Sequence, residues 1–374
     1  MTLPRRPFLG ALVEPVDVVQ TGERGLEITR LVEGAMAELH GLAVGDVLVA
    51  VEGEPVEGPR ALVRALSGGT SYRVDYLRRG RRRRVRVERL PYPAERVRGA
   101  RVRYGDVDVG GHRVRTILAS QDESAPIVMF LPGIRPESVD WALAEHLPVA
   151  RFAHGLAEAG FSLLRVDRFG LGDSEGPPCA TIDFETERAI YEAALDALPT
   201  GAELFLFGHS VGGMLAPLLA RRRDLRGVIA YGTSPRRWGA CLRDGIDRQL
   251  RLRGVDEAEI DAQLERFDAD PFEDGRYGRS RAFHTQLDRA RLDDAWRALD
   301  APALFLVGEC DWVVDEAEQV EAAVLARGEV ARFDGLDHAF TRHGSIAESL
   351  ERYGQGAFDR RMLETCVDWL IARS

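Results

Sequence analysis

One stretch constrains this chain more than any other. The apolar run Glu203-Leu204-Phe205-Leu206-Phe207 reads as a strand buried on both faces. Gly208-His209-Ser210-Val211-Gly212 follows it directly, and helical sequence runs from Val211 to about Arg222. A serine at that point sits in a tight strand-to-helix turn. The flanking glycines are needed because a Cβ at either position would strike neighbouring backbone. Such a turn lifts the Ser210 hydroxyl off the carboxyl end of a sheet. It also leaves the Val211 N–H at a helix N-terminus, facing the place where an oxyanion would form.

The flanking sequence supplies a sheet for that turn to stand on. Pro126–Leu131, Phe161–Val166, Gly227–Tyr231 and Ala303–Val307 are further apolar runs, separated by helical segments such as Ala150–Ala159. Strand and helix alternating in this way predict an α/β fold over residues 100–374, with a mostly parallel sheet and helices on both faces. Between Tyr231 and Ala303 the rhythm breaks. Residues 235–300 are rich in Arg, Asp, Ala and Leu at helical spacing, which predicts a helical lid insertion. Residues 1–90 differ again. They alternate short β-like runs with Gly and Pro turns, including a hairpin around Gly80 and a short helix from Pro59 to Leu66. Residues 91–99, opening on Pro91-Tyr92-Pro93, read as a linker. A length of 374 residues accommodates two or three domains.

A serine hydroxyl needs a base, and the base needs an orienting carboxylate. On this kind of turn the chain order is Ser, then acid, then His, each after a successive strand. Asp311 lies 101 residues beyond Ser210, in the loop after Ala303–Val307, and His338 lies 27 residues further on, after Glu329–Phe333. Ser210 is therefore the expected nucleophile, Asp311 the orienting acid and His338 the general base and acid. Glu309, Asp315 and Asp337 are rival acids, and His343 and His209 are rival histidines in poorer positions. The second oxyanion donor should come from the loop after Pro126–Leu131. Pro132 has no N–H, so the Ile134 N–H joins that of Val211 as the expected pair.

Composition removes competing chemistries. All 50 positive charges are arginine, and neither lysine nor asparagine occurs. That excludes Schiff-base enzymes, lysine phosphate loops, Ser-Lys sites and a Cys-His-Asn protease. Four scattered cysteines without a C-x-x-C spacing signal neither a disulfide framework nor a metal site. A net charge of −10 disfavours nucleic acid, and the arginine run at 78–84 has no interleaved aromatics. Gly170-Leu171-Gly172-Asp173-Ser174-Glu175-Gly176 resembles a dinucleotide loop only superficially, since Pro177-Pro178 stand where its helix should run. No cofactor is expected. No secretory signal and no apolar stretch near ~20 residues is seen, so a cytoplasmic protein without a membrane span is expected.

Residues 100–374 resemble the α/β-hydrolase superfamily, in its serine aminopeptidase-like and esterase-like branch. The resemblance is carried by Gly208–Gly212, Asp167–Gly176, Gly308–Asp311 and Asp337-His338. Pro132 departs from it, standing where many members carry histidine or glutamine. Residues 7–90 resemble a PDZ domain of the bacterial type. Gly41–Val56 follows the G-L-x-x-G-D-x-L-x-x-V-x-G-x-x-V pattern, and Phe8-Leu9-Gly10 looks like the loop that takes a peptide's terminal carboxylate. The two resemblances imply a serine hydrolase acting on an ester, thioester or amide of a small or acyl substrate. They also imply a small domain that recruits a peptide C-terminus or simply packs. The alternatives are a peptidase or acyltransferase of the same fold, or an inert scaffold built on the PDZ-like domain.

Overall fold

The computed structural model describes residues 3–18, 22–66 and 69–374. The chain divides into two compact units, Pro4–Ala94 and Glu95–Ser374, the latter joined by Leu3.

In the smaller unit, five antiparallel strands lie in the order Ala11–Val18, Glu23–Leu31, Val47–Val51, Ser71–Arg78 and Arg81–Glu88, with Glu54–Pro55 pairing the third. The hairpin around Gly80 forms as expected. Arg78 pairs with Arg81 across Arg79 and Gly80, both at positive φ (52° and 71°), the geometry that suits the twist of a two-residue hairpin. The arginines of this hairpin are partly neutralised, because Arg84 grips Asp75 and Arg82 meets Glu23. The Gly-Asp of the Gly41–Val56 pattern has a local reason. Asp46 is buried, accepts the Ala43 N–H at 2.8 Å and holds the Arg78 guanidinium. The helix predicted over Pro59–Leu66 spans Pro59–Ala65.

The larger unit is built on an eight-stranded sheet in the order Glu329–Phe333, Ala303–Gly308, Gly227–Tyr231, Leu204–His209, Ile127–Leu131, Ser162–Val166, His112–Ser120 and Arg101–Val109. Neighbours among the first six run parallel; the last two strands join antiparallel. Each face of the sheet carries its own apolar layer, which is why the central strands are apolar throughout rather than alternating. The Arg101–Ser120 hairpin is absent from the sequence reading. Its signal is the alternation of Val107 and Val109 before Gly110-Gly111.

The 235–300 insertion is helical, with Trp238–Leu252, Glu257–Ala269, Arg281–Arg289 and Leu292–Arg297. Its second half is anchored rather than loose, since Phe283, Leu287 and Trp296 are fully buried in one of the two layers.

The segment read as a linker is divided between the units. Tyr92 packs edge-on against Phe8 at 5.0 Å in the smaller one. Glu95 is buried in the larger one, where it receives Arg165 at 2.7 and 2.8 Å and His154 at 3.0 Å. The turn at Gly170–Gly176 folds back on itself, with the Gly170 N–H donating to Glu175 O, and Pro177-Pro178 lead only into the single 3-10 turn Cys179–Thr181. Among the described residues no helix is long and apolar enough to cross a membrane.

Candidate active site

Ser210 sits at the tip of the strand-to-helix turn with φ 56° and ψ −121°, a left-handed conformation that a residue with a side chain adopts only under constraint. The constraint is visible on both sides. The Ser210 N–H donates to Tyr231 O at 2.8 Å, and its carbonyl accepts from Gly213 at 2.9 Å. A Cβ on Gly208 would stand 2.5 Å from Gly212 O, and one on Gly212 would stand 2.0 Å from Leu131 O. Val211 is the first helical residue, so its N–H has no intrahelical acceptor.

The Pro132-Gly133-Ile134 loop lies against this turn. A Cβ on Gly133 would be 3.4 Å from the Ser210 Cβ and 3.6 Å from His209 Nδ1. Arg168, 1% exposed, braces the loop: its Nη1 donates to Gly133 O at 3.1 Å, and its Nη2 to Arg135 O at 2.6 Å and Glu137 O at 3.2 Å.

Asp311 and His338 are brought together from the loops after two neighbouring strands. His338 Nδ1 is 2.9 Å from Asp311 Oδ2. The strand Gly227–Tyr231 ends beside them, and a Cβ on Gly232 would be 2.6 Å from the His338 ring. The Ser210 hydroxyl does not cap its helix and makes no hydrogen bond to His338 among the described residues. Bonds of this kind commonly tighten only when substrate is bound.

The rivals have other duties. Asp337 is spent on its own turn, accepting from the Ala339 and Thr341 N–H groups, the Thr341 hydroxyl and His343. Glu309 accepts the Gly335 N–H, and Asp315 caps the helix Glu316–Ala326. His209 packs beneath the site, its Nε2 2.9 Å from His338 O. Burial, and then the neighbouring His338, push its pKa down to about 3, so the ring is neutral. Ser138 and Trp141 serve the framework: the first bonds Asp167 at 2.8 Å, the second stacks edge-on against Phe130. No group of three or more His, Cys, Asp or Glu among the described residues is arranged to hold a metal ion.

In the smaller unit the Phe8 N–H donates to Leu90 O, Leu9 O accepts from Ala37 and Gly10 O accepts from Val32. Leu9 is buried in the core of that unit.

Arg168 is the main residue that sequence reasoning passed over. It stands in the Asp167–Gly176 motif, but the carbonyls it serves lie 31 to 35 residues upstream.

Comparison with known proteins agrees with this architecture. A PDZ domain model matches residues 27–89. The esterase EstD of Thermotoga maritima is 23% identical over 281 residues, covering 71% of this chain and 67% of EstD. Est1E of Butyrivibrio proteoclasticus, solved with ferulic acid bound, superposes with a TM-score of 0.51 at 18% identity, covering 72% of this chain and 98% of Est1E. VinJ superposes equally well, with a TM-score of 0.51 at 19% identity over 73% of this chain and 99% of its own. The model of the alpha/beta hydrolase family matches residues 128–345, more than half of the chain, and with that match and the sheet, turn and loops described above the chain belongs to the alpha/beta hydrolase family.

Proposed function

We propose that this protein is a serine hydrolase that opens a carboxylic ester, thioester or amide through an acyl-enzyme, with an ester as the favoured substrate. The observation that carries the proposal is a chain of neighbours. A strained Ser210 has Gly133 against it and its N–H on Tyr231 O, and the next residue, Gly232, lies against the His338 ring that pairs with Asp311.

In this reading Ser210 Oγ attacks the substrate carbonyl carbon while His338 Nε2 takes its proton. The carbonyl oxygen becomes an oxyanion held by the Ile134 and Val211 N–H groups. Collapse expels the leaving group, which takes the proton back from His338. Water then attacks the acyl-serine with the same base and releases the acid. Asp311 keeps the proton of the neutral ring on Nδ1 and stabilises the imidazolium. The name of the relative EstD, an esterase, favours an ester over an amide.

Replacing Ser210 with Ala should abolish turnover of p-nitrophenyl esters and labelling by a fluorophosphonate. Labelling that persists on another residue overturns the assignment. Aminoacyl anilides and acyl-acceptor alcohols in the same panel separate peptidase and acyltransferase from esterase. A wild-type protein inert on every substrate would return the inert scaffold.

For the smaller unit we take the peptide reading. The strand Ala11–Val18 is the outermost of its sheet, and Leu12 and Val63 are exposed at 53% and 69%. A ligand strand added at that edge, with its terminal carboxylate at Leu9 and Gly10, fits this arrangement. The Phe8 N–H is already committed to Leu90. Binding of C-terminal peptides to the full chain, measured by fluorescence anisotropy and weakened by Leu12→Glu, tests it; a packing domain would bind none.

A further inference from the structure

We infer that Arg168 is a positioning residue of the oxyanion hole, and that Glu187 and Arg279 extend its control to the helical insertion. The inference rests on the reading of Ser210 as the nucleophile.

Gly133 C=O and Ile134 N–H belong to the same trans peptide, in which the two groups point in opposite directions. Arg168 fixes that carbonyl at 3.1 Å. It thereby fixes the N–H on the side away from the guanidinium, in a loop whose Gly133 stands against Ser210. Pro132 offers no N–H of its own. The orientation of one peptide therefore decides whether the second donor exists.

The same guanidinium collects Arg135 O and Glu137 O, so it sets the course of the whole loop. A planar fork with five N–H donors suits three convergent carbonyls, and an ammonium would serve them less well.

The brace continues into the insertion. Glu187, buried on the helix Phe184–Asp196, lies 3.4 Å from Arg168 through Oε1 and binds Arg279 through Oε2. Arg279 is fully buried. It reaches Cys179 Sγ at 3.4 Å and Ile134 O at 3.5 Å, and lies over the Phe283 ring at 3.9 Å. The carbonyls on both sides of the Ile134 N–H are thus approached by guanidinium groups, one from the loop after the strand Ser162–Val166 and one from the insertion. A Cβ on Gly278 would stand 2.8 Å from Pro136, so the insertion also packs directly on this loop.

The experiment compares Arg168→Gln, Arg168→Lys, Glu187→Gln and Arg279→Gln with the wild type. Active sites are counted by fluorophosphonate labelling, and ester turnover is expressed per labelled site. Affinity for a boronic acid, which forms a tetrahedral adduct with serine, is measured alongside. Loss of a whole oxyanion donor costs about 10²–10³ in kcat, and a misdirected one should cost Arg168→Gln about 10–100-fold with KM within about twofold. Boronate affinity should fall in step with kcat, Arg168→Lys should recover part of both, and Arg279→Gln should lose less.

A purely structural arginine would lower the melting temperature and the count of labelled sites but leave kcat per site within about twofold, and that result overturns the inference. Should Arg168→Gln fail to fold, Glu187→Gln and Arg168→Lys give the same reading. A wild type that turns over but is not labelled at Ser210 sinks the proposed function instead, and the two failures are distinct.

Discussion

The two oxygens of Asp311 are divided between two tasks: Oδ2 faces His338 Nδ1 at 2.9 Å, and Oδ1 takes the Val313 and Val314 N–H groups at 2.9 and 3.0 Å. The loop after the strand therefore aims the carboxylate before any substrate arrives. Asp311→Asn should keep the backbone bonds on its carbonyl oxygen and turn its NH₂ toward His338. Two donors then meet, the ring proton moves to the wrong nitrogen, and kcat should fall about 10³–10⁴-fold. Ester kinetics beside an unchanged melting curve check this.

His209 sets a pH dependence of stability. Its pKa in the fold is about 3, below the ordinary 6.5, with burial as the main cause. Between those values the unfolded chain binds a proton that the native state refuses. The contribution of His209 is thus complete above about pH 6.5 and is lost as pH falls toward 3. His209→Gln, which cannot titrate, should flatten the fall in melting temperature between pH 6.5 and 4.5. An unchanged slope would show that the ring is protonated in the fold.

Glu95 adds a second acid-sensitive support lower on the scale. Burial alone would raise its pKa, but the Arg165 charge and the bonds from His154 and Arg165 outweigh it and bring it to about 2, below the ordinary 4.5. Its contribution is present above about pH 4.5 and lost as pH falls through 2. Glu95→Ala strands a fully buried guanidinium and should cost about 3–5 kcal/mol in urea unfolding. Arg98→Ala, three residues away in an exposed pair with Glu158, should cost less than about 1 kcal/mol.

Gly212→Ala tests the turn itself. The added methyl would stand 2.0 Å from Leu131 O, a backbone atom of the neighbouring strand that cannot swing aside. Either the turn opens or the Ile127–Leu131 strand shifts, and about 3 kcal/mol should be lost. Soluble yield and calorimetry report it, and a variant of wild-type stability would refute the packing argument.

The sequence by itself determined whatever is written in neighbouring residues. The Ser210 turn, the apolar strands, the Gly80 hairpin and the helical character of 235–300 depend on local sterics and periodicity, which a linear reading contains. Post-strand position was also enough to nominate Asp311 and His338. What only the tertiary structure decided is how side chains far apart in sequence divide their hydrogen bonds. Asp337 adjoins His338 in the chain, yet its carboxylate is consumed by Thr341 and His343. Glu95 reads as linker because its neighbours are Pro93 and Ala94, while its partner Arg165 lies 70 residues away. Arg168 reads as one letter of a motif, and its work is done on carbonyls of another loop. A buried charge or carbonyl must find a partner, and which partner is within reach depends on the folded chain rather than on the order of its residues.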